Sequence, residues 1–181
     1  MHHCMNREKY LAALVFCLKV ETAGAIAGEV AMLLREDPVE KHKLDIFRRI
    51  EASNKILCAR ALEAEGIPRP SIETSFYRNG IKLGQRWGEG DWSTFLDRME
   101  ATVHPEAFAA YLVDDGGDEI AHDYSGVDIG LLRHLVWHEE SLMDFLEKER
   151  QGCCESVAAM EAVLNSELCA GLVGSDDPVG W

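Results

Sequence analysis

Basic residues are scarce in this chain: 18 lysines and arginines stand against 32 aspartates and glutamates, a formal net charge of −14 over 181 residues. Such a field repels phosphate backbones and anionic lipid, which argues against nucleic-acid and membrane-surface partners. No run of about 18 apolar residues appears, so no membrane span is expected. The opening MHHCMNREKY has no apolar stretch behind its charges and does not read as a secretory signal. Period-two alternation is missing, and no Asn-Gly or Asp-Gly turn joins two β-rich runs, so strand signals are absent. The glycines are dispersed and form no Walker or dinucleotide-binding pattern. No serine or cysteine sits in the context of a nucleophile elbow. The cysteines, at positions 4, 17, 58, 153, 154 and 169, include no C-x-x-C pair, which removes a zinc ribbon or a thioredoxin-type site. Cys17 and Cys58 fall in apolar helical patterns as small hydrophobes, and the adjacent Cys153 and Cys154 read as reduced thiols. A reducing, cytoplasmic compartment is the matching expectation.

What remains is helix. The best-defined element runs from Asp37 to Gly66. Asp37 can cap it, Pro38 fits its first turn, Gly66 suits the left-handed position past its end, and Pro68 forbids continuation. Phe47, Ile50, Leu57 and Ala61 form its buried stripe. Before it, Asn6 can cap a long first helix to about Arg35, with Leu11, Leu14, Val15, Leu18, Ala25, Met32 and Leu33 on one face. At 1.5 Å per residue that helix is about 43 Å long. Only Glu36 and Asp37 separate the two, which makes them antiparallel neighbours.

Ser71 opens a shorter helix to about Trp87, in which Gly80 and Gly84 permit close backbone approach. Asp91 caps a third main helix carrying Trp92, Phe95, Leu96, Met99 and Val103, with a kink or restart at Pro105 before Val113. Ser125 and Asp128 have capping-box spacing for a fourth helix ending before Gly152, lined by Leu131, Leu132, Leu135, Leu142, Phe145 and Leu146. Residues 153–172 read as a weaker last helix and 173–181 as a loose tail. The expectation is an all-α fold, an up-down four-helix bundle with one or two accessory helices, in a single domain over residues 1–172.

Polar residues interrupt the apolar stripes. They are Glu21 on the first helix, Glu51 and Asn54 on the second, Glu100 and His104 on the third, and His134, His138 and Glu139 on the fourth. A buried carboxylate needs a hydrogen bond, a cation or a proton. Taken singly, Glu21 or Glu51 is most simply a stripe-edge residue paired with Lys19, Arg48, Arg49 or Arg133, and His138 a hydrogen-bonded core histidine. Polar residues facing inward from four helices at once are what raise the case for metal. Trp87, Trp92, Trp137, Tyr77 and Tyr111 offer plain core packing or the walls of a pocket for a small molecule. The charges Lys41, Lys43, Glu63, Glu147, Lys148 and Glu149 read as solvated faces.

A long helix with one inward Glu, a tight turn, and a second helix with Glu and a polar residue three later resembles the first half of the ferritin-like (rubrerythrin-like) superfamily. The resemblance covers residues 7–65 well and 92–151 loosely. In that family each half supplies a Glu and then a Glu-x-x-His pair, and the set binds two iron or manganese ions. The resemblance implies Glu21 as the first carboxylate, Glu51 as the bridging one and Glu100 as the third, with His138 giving nitrogen and His104, His134 or Glu139 supplementing it. Asn54 stands where the family has His and would then hydrogen-bond behind the ligands. The fourth helix carries no Glu-x-x-His; it reads His134-x-x-x-His138-Glu139 instead. The implied function is a non-haem metal-dependent oxidoreductase using iron or manganese, with zinc also compatible. The alternative is a metal-free bundle that binds a small molecule or a protein, and bundles of this kind often form homodimers.

Overall fold

The computed structural model describes residues 5–68, 74–113, 119–120, 129–170 and 172, and they form an all-α protein. Among the described residues there is no strand, only an isolated bridge between Val113 and Glu119. The long first helix, α1, spans Arg7–Leu34 and is capped by Asn6, whose side chain accepts from the Lys9 amide. After the three residues Arg35, Glu36 and Asp37 comes α2, Pro38–Ala64. The Asp37 carboxylate accepts from the Val39 and Glu40 amides, which satisfies donors left free at any helix start. At the other end Gly66 adopts φ 73° and the Ile67 amide closes back on the Leu62 carbonyl, so both cap expectations hold.

The third helix, α3 (Thr74–Gly88), also packs along α1, on a face next to the one that meets α2. Its glycines make that approach possible. A Cβ at Gly80 would stand 2.7 Å from the Ala23 carbonyl oxygen, and one at Gly84 would stand 2.6 Å from that of Ala27. Because α1 is flanked on two sides, its buried face is wide and rich in small residues: Ala13, Cys17, Ala25, Ala27, Gly28 and Ala31 are all covered. Leu33, expected on the inner face, is 70% exposed at the end of the helix. By length and composition α1 alone among the described helices could cross a membrane, but half of its most apolar window is buried inside the protein.

The expected third main helix is shorter than its pattern. It ends as α4, Trp92–Glu100, and the chain restarts at Pro105 as α5 (Pro105–Ala109) followed by a 3-10 turn to Leu112. Pro105 holds His104 out of helical geometry, at φ −136° and ψ 73°. The sixth helix, α6, spans Gly130–Arg150 and faces the α1–α2 pair. The anticipated Ser125 and Asp128 cap and the 173–181 tail lie outside the described residues. The last segment is two short helices rather than one, α7 (Ala158–Leu164) and α8 (Glu167–Ala170).

Two apolar clusters fill the interior. One gathers Phe47, Ile50, Trp87, Phe95, Leu142, Phe145 and Met160; the other gathers Leu14, Leu18, Cys58, Leu62, Ile129 and Leu135. Glu21, Glu51, Asn54, His134, His138 and Glu139, six of the polar residues that interrupted the stripes, are buried in this interior as well. Glu149 corrects one expectation. Its side chain is only 5% exposed and ties Lys43 at 2.5 Å and the Trp92 indole at 2.6 Å, so these residues pin α6 to α2 and α4 rather than forming a solvated face.

Candidate metal centre

Glu21, Glu51, Asn54, His134, His138 and Glu139 converge in one enclosed place, each at most 5% exposed. Helix spacing explains the set. Glu51 and Asn54 are three apart on α2, and His134 and His138 four apart on α6, so each pair shares a face. Glu21, midway along α1, sits opposite both.

The contacts form one network. His138 Nε2 lies 3.1 Å from Glu51 Oε1 and 3.9 Å from Glu21 Oε2. Asn54 Nδ2 donates to Glu21 Oε2 at 3.2 Å, while Asn54 Oδ1 lies 3.1 Å from His134 Nε2. The amide can only accept at its oxygen, so His134 carries a proton on Nε2 and the hydrogen bonds run from His134 through Asn54 to Glu21. Glu21, His138 and Glu139 each present a ligand atom within 4.8 Å of the others.

Burial is the largest cause of the shifted acidities. It raises the Glu21 carboxyl well above its ordinary range, and the neighbouring Glu51 charge adds to that. Glu51 is raised by burial and then by Glu139, and Glu139 is raised by burial as well. The two carboxyls also act on each other, Glu51 pushing Glu21 further up. His134 is lowered to about 4 by burial and by His138, which keeps its ring neutral. Among the described residues no lysine or arginine forms an ion pair with Glu21, Glu51 or Glu139, although a stripe-edge reading requires one.

Glu100 and the His104 ring do not join this set. Glu100 is solvent-facing and held in a two-pronged pair by Arg150 at 2.8 and 3.0 Å, because α4 stops at that residue and turns it toward the end of α6. The His104 side chain is 58% exposed and pairs with Glu106 at 3.2 Å. Its backbone does reach the centre: the helix break at Pro105 frees the His104 N–H, which donates to Glu139 Oε2 at 3.3 Å.

Sequence reasoning missed two contributors. Gly24 lies against Glu51, where a Cβ would stand 2.1 Å from Oε2, so a glycine one turn from Glu21 was the available signal. Cys169 places Sγ 3.6 Å from His134 Nε2; it lies in the weakest helical pattern and no periodic signal pointed to it. Cys17 and Cys58 are buried free thiols nearby, pushed up by burial first and further by Glu21, which makes them unreactive packing.

The fit to a cation can be read from these atoms. Carboxylate oxygens and an imidazole nitrogen are the donor types that iron, manganese and zinc take. Glu21 Oε1 and His138 Nδ1 are buried without a hydrogen-bond partner, so Glu21 has a free oxygen to offer. No protein-family model, curated protein or solved structure matches this chain.

Proposed function

We propose that the chain is a divergent ferritin-like four-helix bundle, one domain over residues 1–172, whose core holds iron or manganese in a non-haem oxidoreductase. Zinc fits the same donors. The observation that carries this reading is the convergence of Glu21, Glu51, Glu139 and His138, with no lysine or arginine among the described residues paired to the carboxylates. Buried carboxylates so placed must either hold protons or share a divalent cation. Glu139 thereby takes the place that the family pattern assigned to Glu100.

When bound, such a metal would supply Lewis-acid or one-electron chemistry toward oxygen or peroxide. The chain's own part is orientation and exclusion of water. Glu51 and Glu21 hold His138 through its Nε2, Asn54 fixes one oxygen of Glu21, and the His104 amide fixes one oxygen of Glu139. A cytoplasmic location, a small-molecule substrate and a homodimer belong to the same reading.

Elemental analysis of untagged protein tests it. Roughly stoichiometric iron, manganese or zinc that is lost in Glu51→Ala supports it; metal below about a tenth of an equivalent supports a metal-free binding module instead. The apolar cleft beside Glu51 favours that second reading in part, because it offers a ligand space whether or not metal is present.

A further inference from the structure

The cysteines among the described residues divide into two kinds. Cys17, Cys58 and Cys169 are buried, whereas Cys153 and Cys154 are both exposed free thiols, side by side in the turn that leaves α6. That turn is anchored at each end. Gly152 takes φ 68° just past the helix, and the Cys153 amide donates to the Lys148 carbonyl at 3.0 Å, which closes the last turn of α6. Beyond Cys154, the Ser156 hydroxyl donates to the buried Glu149 carboxylate. The two thiols are thus presented to solvent from a fixed stretch of backbone.

Spacing decides what such a pair can hold. Neighbouring Cα atoms stand about 3.8 Å apart across a trans peptide, short of the about 4.4–6.8 Å that an unstrained disulfide spans. A direct S–S bond between the two is therefore disfavoured, while an atom inserted between the sulfurs lengthens the link and relieves the strain. No third ligand joins them: among the described residues, the His, Cys, Asp and Glu side chains grouped closely enough to share an ion are Glu21, His138 and Glu139. A structural zinc site takes four protein ligands, so zinc is not provided for at this turn. A soft centre that is satisfied by two sulfurs is.

We propose that Cys153 and Cys154 form a vicinal dithiol site for trivalent arsenic carrying one organic group. In the capture step both S–H bonds break and two As–S bonds form. The two protons leave with the oxygen of the arsenical as water, and arsenic stays trivalent throughout. Once one sulfur is attached, the second meets arsenic within the same molecule, which tightens binding about 10²- to 10⁴-fold over a single thiol. The site lies past the end of α6 and does not depend on the metal proposed for the bundle core.

The test uses full-length, reduced protein and phenylarsine oxide, read by intact-protein mass and by titration of the thiols left free. Wild type should take up one arsenical and lose two titratable thiols, and the adduct should survive excess monothiol yet be stripped by a dithiol. Cys153→Ser and Cys154→Ser should each bind at least about 100-fold more weakly. Both positions are exposed, so both variants should keep the wild-type melting temperature. Cys169→Ser, which removes a buried thiol, should bind as wild type does. An adduct that a monothiol removes, tight binding that survives in either single variant of the pair, or binding lost in a folded Cys169→Ser protein would overturn the proposal.

Discussion

The α1 backbone at Gly24 runs against the carboxyl group of Glu51, so closely that a Cβ there would stand 2.1 Å from Oε2 and 2.5 Å from Cδ. A glycine inside a helix normally costs about 1 kcal/mol against alanine. Here the missing methyl is the space that the carboxyl occupies.

Gly24→Ala therefore sets two effects against each other. The helix gains about 1 kcal/mol in propensity, while forcing Glu51 aside costs about 1–3 kcal/mol as overpacking. The net change in thermal stability should be small and destabilising. Metal affinity should fall about 10- to 100-fold, because Glu51 can no longer hold its position against His138. Calorimetric melting alongside a manganese titration separates the two, and unchanged affinity would show that Glu51 is not a ligand.

The buried carboxyls also fix a sign for the pH dependence. Glu21, Glu51 and Glu139 hold protons more tightly in the folded chain than at the ordinary value of 4.5, because burial penalises their charged forms. Stability from this source is fully present below about pH 4.5 and is lost as pH rises through the raised folded values. Metal-free protein should therefore melt at progressively lower temperature from about pH 5 to pH 8, and Glu21→Gln should flatten that decline. Saturating manganese should remove it, since the cation replaces the proton. His134 works in the opposite direction. Its folded value of about 4 lies below the ordinary 6.5, so its contribution is present above 6.5 and lost as pH falls toward 4. His134→Gln should remove that acid-side loss. A melting temperature independent of pH in metal-free protein would contradict the enclosed, unneutralised cluster.

Much of this centre was legible because helices place residues by arithmetic. Glu51 with Asn54, and His134 with His138, had to share faces once α2 and α6 were recognised. The caps Asn6, Asp37 and Asp91 act as their residue types predict. The register of α4 against the rest was not legible. Its apolar pattern runs on past Met99, and only tertiary packing and Pro105 decide that it stops at Glu100. That early stop moved Glu100 to the surface and substituted a backbone N–H of His104 for its ring. The second flank of α1 was hinted at by Gly80 and Gly84, yet the exposure of Leu33 at the end of the helix is not encoded in the periodicity of α1.

The misassigned carboxylate supplies a control. Glu100 and Arg150 form an exposed pair, a kind of contact worth about 0–1 kcal/mol. Glu100→Gln should change stability by no more than that and leave metal content at the wild-type level, measured by denaturant unfolding and elemental analysis on the same samples. Loss of metal in this variant would restore Glu100 to the ligand set and require α4 to be longer than it is here.

Asn54 gives the sharpest separation between a metal centre and a proton-sharing core. Its amide donates to Glu21 and accepts from His134, so Asn54→Leu leaves both partners buried and unanswered at a cost of about 2–5 kcal/mol. Asn54→Asp keeps the shape but removes the donor and adds a carboxylate against Glu21. Without metal that variant should be about as damaged as the leucine one, with its loss growing as pH rises. With manganese the two should diverge: the aspartate variant should recover more stability than wild type does on metal addition, because its added charge strengthens binding to the folded state. Urea unfolding of all three proteins, with and without the ion, reads this directly. If the aspartate variant gains nothing from metal, the cluster is a network of shared protons around His138, and the cation assigned to it does not exist.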